Sequence, residues 1–311
     1  MDGTTQSRTK PTWRRVIDFP LVSLVIAFFS LMLPLGAFWP IAKSAGVQRL
    51  PGWVDRPLLA LGSCLIALIV VKIVIARLGE NPRDDLPLDR RAADAIRGTA
   101  FAAVLISAIV LIAWLAGSYD IEGWGGSTSW RFIWFTAGVQ AAFVEEIIAR
   151  GILFRFLEEF GGSWFALAAS SALFGLGHLF NPNATVFSSL AIAIEAGVML
   201  GGAYMLTRNL WLAIGLHFGW NVTQGYIWDV PVSGNAVDGL VDSNPAGPEL
   251  LSGGMFGLEA SLIALVLATT FGVWLLIRAV RAGHVVRPWW IRRRLAGELA
   301  TAGSPVRGSE A

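Results

Sequence analysis

Eight apolar stretches, each close to the length of a bilayer-crossing helix, constrain this sequence more than any other feature. The hydrocarbon core of a membrane is about 30 Å thick and a helix rises about 1.5 Å per residue, so a crossing needs about 20 apolar residues. The stretches lie near residues 20–42, 57–78, 98–117, 130–155, 163–180, 185–207, 210–228 and 256–280. They predict an all-α polytopic membrane protein with about eight transmembrane helices.

The composition agrees with this class and excludes others. The chain is 55% hydrophobic and 15% charged, whereas soluble domains carry about 25% charged residues. The net charge is only +2, and the basic residues form short clusters between apolar runs, so we expect no nucleic-acid partner. The single cysteine, Cys64, lies in an apolar run. It therefore excludes an intramolecular disulfide and a structural cysteine–zinc site.

The distribution of lysine and arginine predicts that both ends of the chain face the cytosol. The loop at 77–97 and the segment after 280 are rich in arginine, whereas the loops at 118–129, 181–184 and 229–255 contain no lysine or arginine. The loop at 43–56 is an exception, since it places three basic residues on the expected outer side. We therefore predict an integral membrane protein with an N-in, C-in topology.

The same pattern divides the chain into six segments. They are a basic cytosolic N-terminus (1–19), transmembrane helices one to three (20–128), a core of helices four to seven (129–228), an extracytosolic loop (229–255), helix eight (256–280) and a basic, disordered cytosolic tail (281–311).

The stretch FVEEIIARG, residues 143–151, places two glutamates and an arginine inside the fourth span. Ionisable groups deep in a bilayer are costly, face the bundle interior or a watery cavity, and commonly mark function. Glu146 and Arg150 are four residues apart, the spacing of an ion pair on one helix face. Glu145 points about 100° away and is left free for chemistry. The alternative is that the cluster only pins this helix to its neighbours.

Two further spans carry polar pairs at helical spacing. The fifth span contains FGLGH, with Phe174 and His178 at i and i+4, and the seventh contains HFGWN, with His217 and Asn221 at i and i+4. Glu145 and His178 each lie sixteen residues from the Gly161-Gly162 turn, so a hairpin of regular helices places them level. His217 reaches the same depth only if that hairpin projects roughly 10 Å into the cytosol.

These residue types suit hydrolysis of a peptide bond. Glu145, oriented with His178, could activate a water, while His217 and Asn221 could donate hydrogen bonds to the oxyanion. Such a mechanism requires no cofactor. The competing version is a Zn²⁺ ion bound by Glu145, His178 and His217, since glutamate and histidine are competent zinc ligands. The soluble zinc-protease pattern H-E-x-x-H is absent from the chain.

In order along the chain, EEIIAR, FGLGH and HFGWN look like the three motifs of the CPBP family of intramembrane proteases, which includes the type 2 CAAX prenyl proteases and bacteriocin-processing proteins. The likeness covers about residues 130–226. The run into the third motif also resembles the family, with Gly197 and Gly201 forming a G-x-x-x-G that permits close helix packing.

The resemblance implies an eight-helix fold with a conical intramembrane cavity open to the cytosol. It assigns Glu145 and His178 to water activation and His217 and Asn221 to the oxyanion, with Glu146 and Arg150 as electrostatic support. The family has been described both as metalloproteases and as glutamate-dependent proteases. The implied substrate is a membrane-associated, hydrophobic or lipid-anchored peptide or protein, and this class includes CAAX-like substrates. The implied location is a bacterial cytoplasmic membrane.

Two other functions stay open. A non-proteolytic membrane protein could use the same polar cavity to bind a partner or to confer immunity to a bacteriocin. A transporter could relay protons through these carboxylates and histidines, although the sequence shows no inverted repeat.

Two further glutamates lie outside the motifs. Glu195, midway along the sixth span, is expected to hydrogen-bond to a neighbouring helix, and Glu259, near the outer end of the eighth, is expected to reach the membrane interface.

Overall fold

The computed structural model describes residues 10–302 and is helical over most of that range. Within it, seven helices are long and apolar enough to cross a membrane, so the chain is a polytopic protein of the lipid bilayer. In chain order the helices are α1 (Thr12–Ile17), α2 (Pro20–Ser44), α3 (Gly52–Arg77), α4 (Arg90–Leu115), α5 (Phe132–Gly161), α6 (Ser163–Phe180), α7 (Val186–Thr207), α8 (Trp211–Val222), α9 (Glu249–Ser252), α10 (Leu262–Arg281) and α11 (Trp289–Ala302).

Seven of the about eight predicted spans are long enough to cross a membrane, and the remaining helix, α8, is shorter. Its 12 α-helical residues run directly into five residues of π-helix, Thr223–Ile227. All of α8 except Trp211 and Phe218 is buried. The predicted seventh span is therefore a shorter helix enclosed by the bundle, and the predicted all-α polytopic architecture is confirmed.

Small residues bring the central helices into close contact. A Cβ atom on Gly215 of α8 would lie 2.0 Å from the Ala95 carbonyl oxygen of α4, and one on Gly98 would lie 2.5 Å from the Leu212 carbonyl oxygen. On α7, a Cβ atom on Gly197 would meet Ser171, and one on Gly201 would meet Leu167, both on α6. The predicted close packing at Gly197 and Gly201 is confirmed.

The two ends of the described chain meet at one face of the bundle. The Phe19 ring packs edge-on against Trp289, with ring centroids 6.0 Å apart, and Trp290 packs against Phe160 at the end of α5. Arg292 donates a hydrogen bond to Glu80 in the loop after α3. This shared face agrees with the expectation that both ends lie on the same side of the membrane, and the assignment of that side to the cytosol stays a prediction.

The predicted disorder of the tail is wrong for residues 289–302, which form α11. The helix is anchored because the Trp289 indole donates to Glu80, and Arg292 donates to the Glu159 carbonyl oxygen. Residues 1–9 and 303–311, which belong to the predicted N-terminal and tail segments, lie outside the described residues.

At the opposite face, a small β-ribbon interrupts the helical architecture. Strand β1 (Tyr119–Trp124) pairs antiparallel with β2 (Val241–Pro245), with a bulge between Ile121 and Gly123. The segment at 229–255, predicted as an extracytosolic loop, thus contains a strand. The Asp229 carboxylate accepts hydrogen bonds from the backbone of Gly239 and Ser243 and holds this loop together.

A buried ionic network fixes the loop between α3 and α4. Arg155 of α5 donates to the carbonyl oxygens of Leu78 and Arg83 and to the carboxylate of Asp85. Arg155 and Asp85 are 1% and 3% exposed. The Tyr204 hydroxyl of α7 also donates to Asp85. Because buried charges are strongly destabilising when one partner is lost, this loop is a fixed part of the bundle.

The close contact between α4 and α8 predicts a sharp difference between two glycine substitutions. Gly215→Ala should lower the stability by about 1–3 kcal/mol, because the added methyl group overlaps the α4 backbone. Gly36→Ala in α2, where a Cβ atom meets nothing within 4 Å, should be neutral or stabilising by up to about 1 kcal/mol. Thermal unfolding midpoints of the two variants in detergent provide the comparison. Equal midpoints would contradict the proposed packing.

Candidate active site

A charged cluster lies at the centre of the bundle, where α5 meets α8. Glu146 is fully buried, and its Oε1 accepts hydrogen bonds from Arg150 Nη1 at 2.9 Å and from His217 Nδ1 at 3.0 Å. The Glu146–Arg150 pair predicted from the sequence is confirmed. Since a salt-bridged carboxylate is only an acceptor, the Nδ1 atom of His217 carries the hydrogen in this contact.

The Arg150 guanidinium is 1% exposed and is held on three sides. Besides Glu146, it donates from Nη2 to the Ala196 carbonyl oxygen of α7 at 3.1 Å and lies over the Phe174 ring of α6, 4.8 Å from the ring centroid. Cation–π contact and hydrogen bonds together offset part of the lost hydration of the buried cation, whose Nε is buried without a hydrogen-bond partner. Arg150 thus joins α5, α6 and α7.

Glu145 differs from its neighbour in both contacts and exposure. Its side chain is 39% exposed, and its Oε2 lies 4.0 Å from Nε2 of His217. His217 is therefore flanked by two carboxylates: Glu146 fixes Nδ1, and Glu145 faces Nε2 across a gap wide enough for a bridging water. The division of labour expected from helical geometry, with Glu146 paired and Glu145 free, is present in the structure.

His178 lies at the end of the α-helical part of α6, one turn after Phe174. Its Nδ1 is 2.8 Å from the Phe174 carbonyl oxygen, and the two rings have centroids 4.7 Å apart. A carbonyl oxygen only accepts, so Nδ1 carries the hydrogen and Nε2 of the neutral ring is left as an acceptor. Phe174 also contacts the His217 ring edge-on, with centroids 6.2 Å apart.

Asn221 is buried one turn after His217 on α8. Its Nδ2 donates to the Ala137 carbonyl oxygen of α5 at 2.8 Å. An amide nitrogen has two hydrogens, so this bond orients the side chain and leaves one donor.

Two adjoining cavities connect these residues. An open cleft is lined by Glu145, Phe174 and His178, among others. A second, smaller cavity is lined by Phe174, His178, His217 and Asn221, among others. Phe174 and His178 form part of both walls. All four residues assigned to catalysis from the sequence therefore line one or the other cavity.

The backbone of α5 is unusual on both sides of the two glutamates. The α-helical turn Ala141–Glu146 lies between π-helical segments Phe132–Gln140 and Ile147–Phe154. π-Helical segments are rare in proteins, and those that occur are often found at functional sites. The depth estimate from the sequence assumed regular helices throughout, which α5 is not. That estimate brought His217 level with Glu145 only if the hairpin projected roughly 10 Å into the cytosol. In the structure the two side chains are 4.0 Å apart.

The zinc alternative can be tested against this arrangement. His178 and His217 each have Nδ1 in a hydrogen bond and Nε2 free, as metal-binding histidines do. However, within residues 10–302 no three histidine, cysteine, aspartate or glutamate side chains are grouped so as to share a metal ion. The cationic Arg150 beside Glu146 also disfavours a second cation. As placed, Glu145, His178 and His217 do not fit a zinc site.

Two carboxylates near the site differ from what the sequence suggested. Glu195 is 2% exposed, makes no hydrogen bond within the described residues, and its Oε2 is buried without a partner. Glu259 is 4% exposed and accepts hydrogen bonds from the backbone and hydroxyl of Ser233. Both line the second cavity. Neither belongs to a recognisable motif, and only the isolated position of Glu195 within a span indicated a special role.

These features define the protein as a membrane-embedded helix bundle with a glutamate–arginine–histidine cluster beside an open cleft. Residues 127–223 match the family described as type II CAAX prenyl endopeptidase Rce1-like. This segment carries all three motifs, so the resemblance found in the sequence is confirmed, and the similarity to this family extends over residues 127–223. No curated protein and no solved structure is significantly similar to the chain.

The buried Glu146–Arg150 pair predicts a characteristic response to substitution. Arg150→Met should destabilise the protein by about 3–5 kcal/mol, because it leaves a carboxylate buried without its cation. In the double variant Glu146→Gln, Arg150→Met, the buried charge is gone, so part of the stability should return. Thermal unfolding of the wild type, both single variants and the double variant measures this coupling. Additive effects of the two substitutions would show that the pair is not coupled.

Proposed function

We propose that the protein is an intramembrane endopeptidase that uses Glu145 as a general base. The observation that carries this proposal is the 4.0 Å gap between Glu145 Oε2 and His217 Nε2, with Nδ1 of the same ring held by Glu146. Glu145, Glu146 and His217 all lie within the segment that matches an endopeptidase family. The exposed carboxylate borders the open cleft, where a substrate and a water could reach it.

The geometry suits a water that is oriented as well as activated. With Nδ1 donating to Glu146, the neutral His217 ring presents a lone pair at Nε2, and the Glu145 carboxylate presents another acceptor. A water between them donates one hydrogen to each. Its oxygen lone pairs then point away from both residues, towards a carbonyl carbon placed in the cleft.

The proposed reaction balances without a further reactant. Glu145 takes one proton from the water as its oxygen attacks the peptide carbonyl carbon, and the carbonyl oxygen becomes an oxyanion. When the C–N bond breaks, the proton passes from Glu145 to the leaving amine. The water oxygen remains in the new carboxyl group, and Glu145 is again a carboxylate.

The other site residues have supporting roles in this proposal. The second hydrogen of Asn221 Nδ2 is a donor for the oxyanion, while His217 Nε2 accepts the hydrogen that stays on the attacking oxygen. His178 borders the cleft together with Glu145 and offers its Nε2 as an acceptor for the water or the leaving amine. Glu146 and Arg150 fix the orientation of His217.

We further propose that the substrate is a hydrophobic or lipid-anchored peptide or protein within a bacterial cytoplasmic membrane, with both ends of the enzyme in the cytosol. The cleft beside Glu145 is lined largely by apolar side chains, among them Ile148, Leu153 and Leu173. Such walls favour apolar segments.

The test compares peptide N-termini in membranes that contain either the wild type or Glu145→Gln at matched levels. Since general acid–base catalysis contributes about 10²–10⁴-fold, termini produced by the wild type should decrease by about that factor in the variant. Glu122→Gln, an exposed glutamate in β1, is the control and should cleave normally.

Purified wild type added to the variant membranes should restore those termini. Identical profiles for wild type and Glu145→Gln would reject the endopeptidase and favour a binding or immunity protein that uses the same cavity.

A further inference from the structure

The second cavity extends past the proposed catalytic residues into the bundle. Besides His178, His217 and Asn221, it is lined by Glu195 of α7 and by Glu259 and Ser233 from the segment before α10. The rest of its wall is mainly apolar and includes Ile192, Met199, Leu200, Trp220 and Ala268. The cavity therefore combines an apolar wall with two acidic groups.

The two carboxylates in this cavity have no cationic partner. Glu195 makes neither a salt bridge nor a hydrogen bond within the described residues, its Oε2 is buried without a partner, and the residue forms part of the cavity wall. The two carboxylate oxygens of Glu259 accept hydrogen bonds from Ser233, one from its backbone and one from its hydroxyl, and the Gln224 side chain also interacts with this carboxylate. No lysine or arginine lines the cavity, and Arg150 is already bonded to Glu146 and Ala196.

Two buried carboxylates without a cation are costly to ionise, and they favour either a proton or an incoming positive charge. Burial raises the pKa of Glu259 to about 7, against the effect of the hydrogen bonds from Ser233. A ligand that brings its own cation would replace the proton and form charge-assisted hydrogen bonds with both groups. The aliphatic stem of lysine or arginine would contact the apolar wall.

We propose that this cavity is a specificity pocket for a lysine or arginine side chain of the substrate, with Glu195 and Glu259 as its anionic partners. The assignment rests on the endopeptidase function proposed above, because His217 and Asn221 line the same cavity. A basic side chain in the pocket would place the neighbouring peptide bond beside those residues. The preferred substrates are then apolar membrane peptides with a basic residue next to the scissile bond.

The first experiment measures cation recognition without any cleavage. n-Butylammonium should raise the unfolding midpoint of the purified wild type in a concentration-dependent manner, whereas neutral butyramide should not. Glu195→Gln and Glu259→Gln should each weaken the apparent affinity about tenfold or more, since each removes a charged partner. Glu249→Gln, an exposed glutamate of α9, is the matched control and should bind like the wild type. Equal affinity of the wild type and both pocket variants would overturn the proposal.

The second experiment examines the peptide termini that depend on Glu145. Lysine or arginine should be enriched beside the cleaved bonds with the wild type, and the enrichment should be lost with Glu195→Gln. Cleavage without any such preference would overturn the pocket and leave the endopeptidase intact. If n-butylammonium binds but no terminus depends on Glu145, the endopeptidase and its substrate preference both fail, while cation recognition stands.

Discussion

The Glu146 carboxylate is the constraint on which the centre of this protein depends. A charge with 0% exposure inside a membrane-embedded bundle is tolerated only when other groups replace its hydration. Arg150 and His217 both donate to the same oxygen of Glu146. Because these donors come from α5 and α8, and Arg150 is bonded in turn to α7, the requirement to satisfy one carboxylate fixes the relative positions of three helices.

The chemistry proposed for the site follows from the difference between adjacent glutamates. Glu146 is held in a buried contact with Nδ1 of His217, whereas Glu145, one residue earlier, faces the cleft and Nε2 of His217. One histidine thereby links a structural carboxylate to the carboxylate proposed as the general base. The short helix α8 can carry this histidine at the centre because glycines at Gly215 and Gly219 allow it to lie directly against the α4 backbone. Rigid placement of this kind is what a hydrolytic site requires.

Much of the fold and of the motif-based site could be predicted from the sequence. Hydropathy located the seven long spans, but it did not show that α8 is shorter and enclosed by the other helices. An apolar helix buried in protein and one exposed to lipid have similar compositions, so hydropathy does not distinguish them. The pairing of Glu146 with Arg150 followed from their spacing. The roles proposed for Glu195 and Glu259 could not be predicted, because nothing in the sequence shows that a residue of α7 and a residue of the segment before α10 border the same cavity. The helix α11 was not predicted, because its sequence is basic and polar. The helix is anchored by contacts of Trp289 with Glu80 and Phe19, which the local sequence does not show.

The sequence by itself determined the class of protein, the ion pair within α5 and the three motifs, because each of these is a local pattern of residue types along one helix. The tertiary structure decided which groups meet: that His217 lies between two carboxylates, that Phe174 separates two adjoining cavities, and that Glu195 faces one of them without a partner. These contacts join residues on different helices, and the π-helical segments of α5 alter the residue spacing that a regular helix would give. Their geometry therefore depends on how the helices pack, which local periodicity does not specify.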